Sequence, residues 1–246
     1  MADVLENLRQ ARARIDAACS RAGRDTTEVE LLPVSKTHPD AAVRRAAGAG
    51  YRRFGENRPQ EVARRAAELA DLDLSWVAIG RVQTNKAKLI AEHAAELQSL
   101  DSVALGEALE RRLDALGRTL PVLVQVNTSG EAAKAGFRPE DTPAAVATLR
   151  ACPHLEVRGL MTMAAHTTDR DAIRSSFACL RDLRDRLRDV YGPELGALSM
   201  GMSGDFEIAI EEGATVVRVG QALFGARPLP DSHYWPANPQ TKEPRS

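Results

Sequence analysis

The chain has 246 residues, 33 Lys and Arg against 34 Asp and Glu, and a formal net charge of -1, so it lacks the basic excess that draws a protein to nucleic acid or an anionic membrane. Its 43% hydrophobic and 27% charged content fits an ordinary globular protein, one that buries about three quarters of its unfolded surface. Cys19, Cys152 and Cys179 are few, odd in number and without metal-ligand spacing, which predicts a reduced, cytoplasmic protein with no metal centre.

The N-terminal segment MADVLENLRQARARIDAACS carries Val4, Leu8, Ala11, Ile15 and Ala18 at helical spacing with charges between them. That pattern predicts an amphipathic surface helix and not a signal peptide. No window reaches the ~18 uncharged apolar residues of a membrane span. Downstream, β-rich runs at 29–34, 52–54, 76–79, 96–100, 122–126, 156–159, 197–198 and 215–219 alternate with helical patterns. Leu105, Leu109, Leu113 and Leu116 form one helical stripe; Ile173, Phe177, Leu180, Leu187 and Val190 form another. Pro39, Ser102 and Ser203 mark helix starts, and Gly50, Gly117 and Gly213 mark helix ends.

Eight strand signals alternating with helices over this length predict a single (β/α)8 TIM barrel. A doubly wound open sheet uses the same local pattern and stands as the alternative. No linker divides the chain: the barrel is expected over 1–228, followed by a Pro-rich surface tail over 229–246.

Chemistry-bearing residues follow the strand signals, where a barrel gathers them on one rim. Lys36 follows the first, FGENRPQE (54–61) the second and IGRVQTNKAK (79–88) the third. LSMGMSGDFE (198–207) follows the seventh, and VRVGQALFG (217–225) the eighth. Glycines and hydroxyls before helix starts suit a phosphate, although Gly and Ser are also ordinary turn formers. A half-buried lysine loses hydration, which favours its neutral amine, the form that condenses with a carbonyl group. Together these features describe a site for a phosphorylated carbonyl compound, for which pyridoxal 5'-phosphate (PLP) is the common cofactor.

Over 5–227 the sequence resembles the pyridoxal phosphate homeostasis protein family, whose barrel is similar to the N-terminal domain of alanine racemases. The motifs that carry the resemblance are VSKTHP, FGENRPQE, IGRVQTNK, GLMTMA and LSMGMSGDFEIAIEEGATVVRVGQALFGAR. It implies that Lys36 forms a Schiff base with PLP and that Arg218 faces the pyridine nitrogen. Ser199, Gly220 and the adjoining Gln221 would bind the phosphate, and Asn57, Met200 and Met161 would surround the ring. Three departures stand out: Arg58 and Pro59 replace the usual Tyr-Val pair, the segment 76–80 lacks its usual histidine, and Gln221 stands where a hydroxyl residue is usual.

The resemblance also implies a function in PLP homeostasis and amino-acid balance, with PLP-dependent apo-enzymes as partners and a monomeric or weakly dimeric state. Alanine racemases take a tyrosine acid/base from a second, β-rich domain, and only the Pro-rich stretch is expected to follow residue 225 here. Tyr51, Tyr191 and Tyr234 lie outside the site motifs. Arginine cannot accept a proton from the pyridine nitrogen, which leaves the ring a poorer electron sink. A non-catalytic carrier is therefore expected. The alternatives are a weak PLP-dependent amino-acid racemase and a Schiff-base aldolase acting on a sugar phosphate.

Overall fold

Val4, Leu8, Ala11, Ile15 and Ala18 line the buried face of helix α1 (Val4–Ala22), which begins at an Asp3 cap and ends at left-handed Gly23. The fold is seen in a computed structural model that describes residues 3–131, 134–165 and 167–225; the expected tail at 229–246, with Tyr234, lies outside them. Every run read as a strand forms one: β1 (Glu30–Pro33), β2 (Arg53–Glu56), β3 (Ser75–Ala78), β4 (Glu96–Leu100), β5 (Leu120–Gln125), β6 (Leu155–Met161), β7 (Ala197–Ser199) and β8 (Val216–Val219). One helix follows each: α2 (Asp40–Gly48), α3 (Pro59–Glu68), α4 (Ala87–His93), α5 (Val103–Leu116), α6 (Thr142–Arg150), α7 (Arg170–Tyr191), α8 (Phe206–Glu211) and α9 (Gln221–Phe224).

The strands bond in the order β1-β8-β7-β6-β5-β4-β3-β2, all neighbours parallel. The two ends of this sheet meet at a Val34–Gly55 bridge, and the Ser35 amide donates to the Gly55 carbonyl at 3.1 Å. That closure excludes the open doubly wound sheet, which has two free edges. Most of the apolar core lies between strands and helices, whereas inside the barrel Leu32, Val77 and Val216 form a small separate cluster with Ile79. Both helical stripes pack as read except at their last positions, where Leu116 and Val190 are exposed.

The β1–β2 seam is held from the helix side. Ser35, Glu56 and Arg65 are all buried there. The Ser35 hydroxyl donates to Glu56 Oε1 at 2.6 Å, and Arg65 Nη2 donates to the carbonyls of Ser35 (3.3 Å) and His38 (2.5 Å). Arg65 Nη1 stands 3.4 Å from Glu56 Oε1, an ion pair without hydrogen-bond geometry, and its Nε also has no hydrogen-bond partner. Burial pushes the Glu56 carboxyl above its ordinary range, with Arg65 and the Ser35 hydroxyl holding it back.

Breaking a buried pair leaves one uncompensated charge, so Arg65→Met is expected to lose about 3–5 kcal/mol in urea unfolding near neutral pH. Removal of Arg65 raises the folded-state pKa of Glu56 further. A raised carboxylate contributes stability that is fully present below its unfolded pKa and lost as the pH climbs through the folded one. The variant's deficit is therefore expected to be smallest in acid and to grow as the pH rises from the ordinary carboxylate range. A deficit independent of pH would contradict this arrangement.

Candidate functional site

The C-terminal ends of β1 and β8 form the centre of the rim. The Val34 amide donates to the Val219 carbonyl at 2.8 Å, which fixes the two strand ends side by side. Side chains alternate across a strand, and Glu30, Leu32 and Val34 share one parity; Leu32 belongs to the interior cluster. Lys36, two residues beyond Val34, is half-buried and opens a turn closed by the His38 amide on the Ser35 carbonyl at 3.1 Å. Thr37 follows at φ 67°, a left-handed conformation uncommon for a β-branched residue. Such strain is characteristic of functional segments and turns the chain sharply after the lysine.

On the neighbouring strand, Gly220 leads into α9. A Cβ at Gly220 would sit 3.1 Å from the Val34 carbonyl, so glycine permits the close approach of the two backbones. The His38 and Phe224 rings, 5.3 Å apart, hold the Lys36 segment against α9. Ser203 stands two residues before Asp205, which precedes α8 as the sequence leads one to expect. The Ser203 hydroxyl accepts from the Ala222 amide at 3.3 Å, so it stands at the start of α9 next to Gly220 and Gln221. Gln221 itself is exposed.

Arg218 is buried within the barrel. Its Nη1 donates to the Ser199 hydroxyl (2.6 Å) and its Nη2 to the Thr162 carbonyl (2.8 Å). Its amide donates to the carbonyl of Gly201, whose φ of 91° places that loop across the strand end. Burial pushes the guanidinium down to about 10, with the Asp205 carboxylate acting in the opposite sense, so it remains charged at neutral pH. Asp205 is raised by its own burial, against the hydrogen bond from the Met202 amide and the charge of Arg218.

The residues read from sequence divide into two groups. Lys36, Arg218, Gly220 and Gln221 stand on the adjoining ends of β1 and β8, and half-buried Asn57 follows β2 across the seam. Ser199 is fully buried, and its hydroxyl is bonded to Arg218 and to Gln98 Oε1 (2.7 Å). Met200 is buried in the helix–sheet core, and Met161 is buried at the end of β6. Arg58 is exposed as the cap of α3, whose first turn takes Pro59. Sequence reading includes Ser203 in the anion-suited loop after β7 but passes over Arg65 and Gln98. Both carried a signal: Arg65 lies on the Val62–Leu69 face of its helix, and Gln98 interrupts the apolar strand ELQSL.

This arrangement brings together a lysine amine, a fixed guanidinium and backbone N–H groups at a glycine-led helix start. It is a donor set for an anionic carbonyl compound. The family model for the N-terminal domain of alanine racemase matches residues 7–228. Pyridoxal phosphate homeostasis protein from Pseudomonas aeruginosa is 48% identical over 227 residues, covering 92% of this chain and 97% of that protein. The structure of PipY from Synechococcus elongatus with PLP bound has a TM-score of 0.76 at 40% identity, covering 86% of this chain and 100% of that one. Alanine racemase from Clostridium difficile shares the fold alone, with a TM-score of 0.68 at 17% identity; it is covered over 57% of its length and this chain over 92%. By fold, rim geometry and identity along almost its full length, the chain belongs to the pyridoxal phosphate homeostasis protein family.

Proposed function

We propose that the chain binds PLP as a Schiff base on Lys36 and acts as a carrier or regulator of cytoplasmic PLP and amino-acid balance, supplying PLP-dependent apo-enzymes as a monomer or weak dimer. One observation carries this reading: the lysine and the glycine-led loop stand on neighbouring strand ends joined by the Val34–Val219 hydrogen bond. The residues fit the cofactor. Gly220 and Gln221 offer backbone N–H groups at the start of α9, and the Ser203 hydroxyl, which accepts from the Ala222 amide, keeps its own proton to donate where a phosphate would sit. Arg218, which can only donate, would meet the pyridine nitrogen, and Asn57 would stand beside the ring.

PLP supplies an aldehyde and an electron-accepting ring when bound. Lys36 would supply the neutral amine that condenses with that aldehyde, water being the other product. Hydrolysis of that link would free the cofactor and return the lysine amine. Three observations favour holding over turnover. Relatives along nearly the whole chain are named homeostasis proteins. Arg218, a donor only, would leave the ring nitrogen without a proton. Tyr51 and Tyr191 precede β2 and β7, at the barrel end opposite Lys36.

Protein reconstituted with PLP is expected to turn yellow, and borohydride is expected to fix the adduct in the wild type but not in Lys36→Ala. A colourless wild type with no fixed adduct would refute the site. Deuterium entering the α-carbon of alanine or serine in D2O would refute the carrier part and favour a racemase. A sugar-phosphate adduct at Lys36 without PLP binding would favour an aldolase.

A further inference from the structure

Below Arg218 a line of buried polar groups runs through the barrel to its opposite mouth. Arg218 Nη1 donates to Ser199 Oγ (2.6 Å), Ser199 Oγ donates to Gln98 Oε1 (2.7 Å), and Gln98 Nε2 donates to Glu96 Oε1 (2.8 Å). Gln98 and Ser199 are fully buried. Glu96 in turn pairs with Arg53, which also pairs with Glu30 at 2.7 Å.

The direction of this line is fixed by chemistry at both ends. Arginine has donors only and an ionised carboxylate has acceptors only. Ser199, having accepted from Arg218, passes its own proton onward. Gln98 must turn its amide N–H to Glu96 and its carbonyl to Ser199, since the flipped amide would set two acceptors against each other at Glu96. Charge completes the picture: Arg53 holds the carboxylates of Glu30 and Glu96 at the lower end of the line, and Arg218 is a buried positive charge at its upper end. A buried charge needs a paired charge or hydrogen bonds to hold it, and aligned bonds polarise one another.

We propose that Ser199, Gln98 and Glu96 are positioning residues for Arg218, forming an oriented hydrogen-bond relay that ends on the Glu96 carboxylate, polarises toward the guanidinium and fixes where that group points. The role toward the pyridine ring rests on the PLP reading above; the relay itself does not. It makes Arg218 a rigid, permanently charged donor, and so extends a control on the cofactor's ring nitrogen to residues remote from the rim.

Two variants test it: Gln98→Leu, which cuts the line, and Glu96→Gln, which keeps a hydrogen-bond acceptor, removes the charge and leaves Arg53 paired with Glu30. In protein without PLP, exchange of the Arg218 side-chain N–H is read by 15N NMR, with the signal assigned by its loss in Arg218→Lys. Both variants are expected to exchange at least about tenfold faster than wild type, the scale of one hydrogen bond to a charged group. With PLP, both are expected to keep the borohydride-fixed adduct on Lys36 but to lose much of the visible circular dichroism per bound cofactor, because that signal needs a fixed ring. If Gln98→Leu does not fold, Glu96→Gln decides. Exchange within about twofold of wild type would overturn the relay. Wild-type protein that forms no adduct would sink the PLP reading and leave the relay to the measurement without cofactor.

Discussion

The hydrogen bond from the Val34 amide to the Val219 carbonyl carries the β1–β8 ladder one residue past β1, to the last residue of β8, and the arrangement of the rim depends on that register. A strand slip of one residue sends each side chain to the other face of the sheet. Here the slip would exchange Ser35 and Lys36. The lysine would enter the dry space occupied by Glu56 and Arg65, and the serine would take its place at the rim. The buried Ser35–Glu56–Arg65 contacts on one side of β1 and the Leu32–Val77–Val216 packing on the other make that exchange costly. Register therefore sets which residue meets the Gly220 loop.

Two buried arginines show how the fold handles charge. Arg65 lies between sheet and helix and is balanced locally by Glu56, with Asp40 at 3.5 Å. Its contacts fasten the segment that carries Lys36. Arg218 lies inside the barrel and, among the described residues, has no carboxylate hydrogen-bonded to it directly; hydroxyl and carbonyl oxygens hold its two terminal nitrogens. A parallel barrel buries both faces of its sheet, so an inward polar residue persists only when hydrogen-bonded. The apolar half of the interior, near β1 and β3, and the polar line from β4 through β7 to β8 divide the barrel accordingly. A rim backed by a fixed positive charge suits a cofactor that is to be held and released.

Much of this was legible in the sequence because it depends on local pattern. All eight strand runs were found, with ends displaced by a few residues, as at 52–54 against Arg53–Glu56. Lys36 was legible because an apolar run ends at it, and Gly220 because a glycine follows a buried strand directly. Hydroxyl roles were not legible in the same way. Ser199 and Ser203 lie four residues apart in one glycine-containing loop, and spacing cannot tell which reaches α9. The answer depends on Ala222, which belongs to another strand's helix, and the structure gives Ser203 that contact and Ser199 to Arg218. Arg65 and Gln98 had readable parity, but their value depends on partners distant in the chain: Ser35 lies 30 residues from Arg65, and Ser199 lies 101 from Gln98.

A crystal structure of the protein soaked with PLP tests the central claim most directly. The account expects continuous density from Lys36 Nζ to the cofactor, with the phosphate within hydrogen-bond reach of the Gly220 and Gln221 amides and the Ser203 hydroxyl, and the ring nitrogen toward Arg218. A cofactor joined to another lysine, such as Lys86, Lys88 or Lys134, or a phosphate held away from the start of α9, would contradict it.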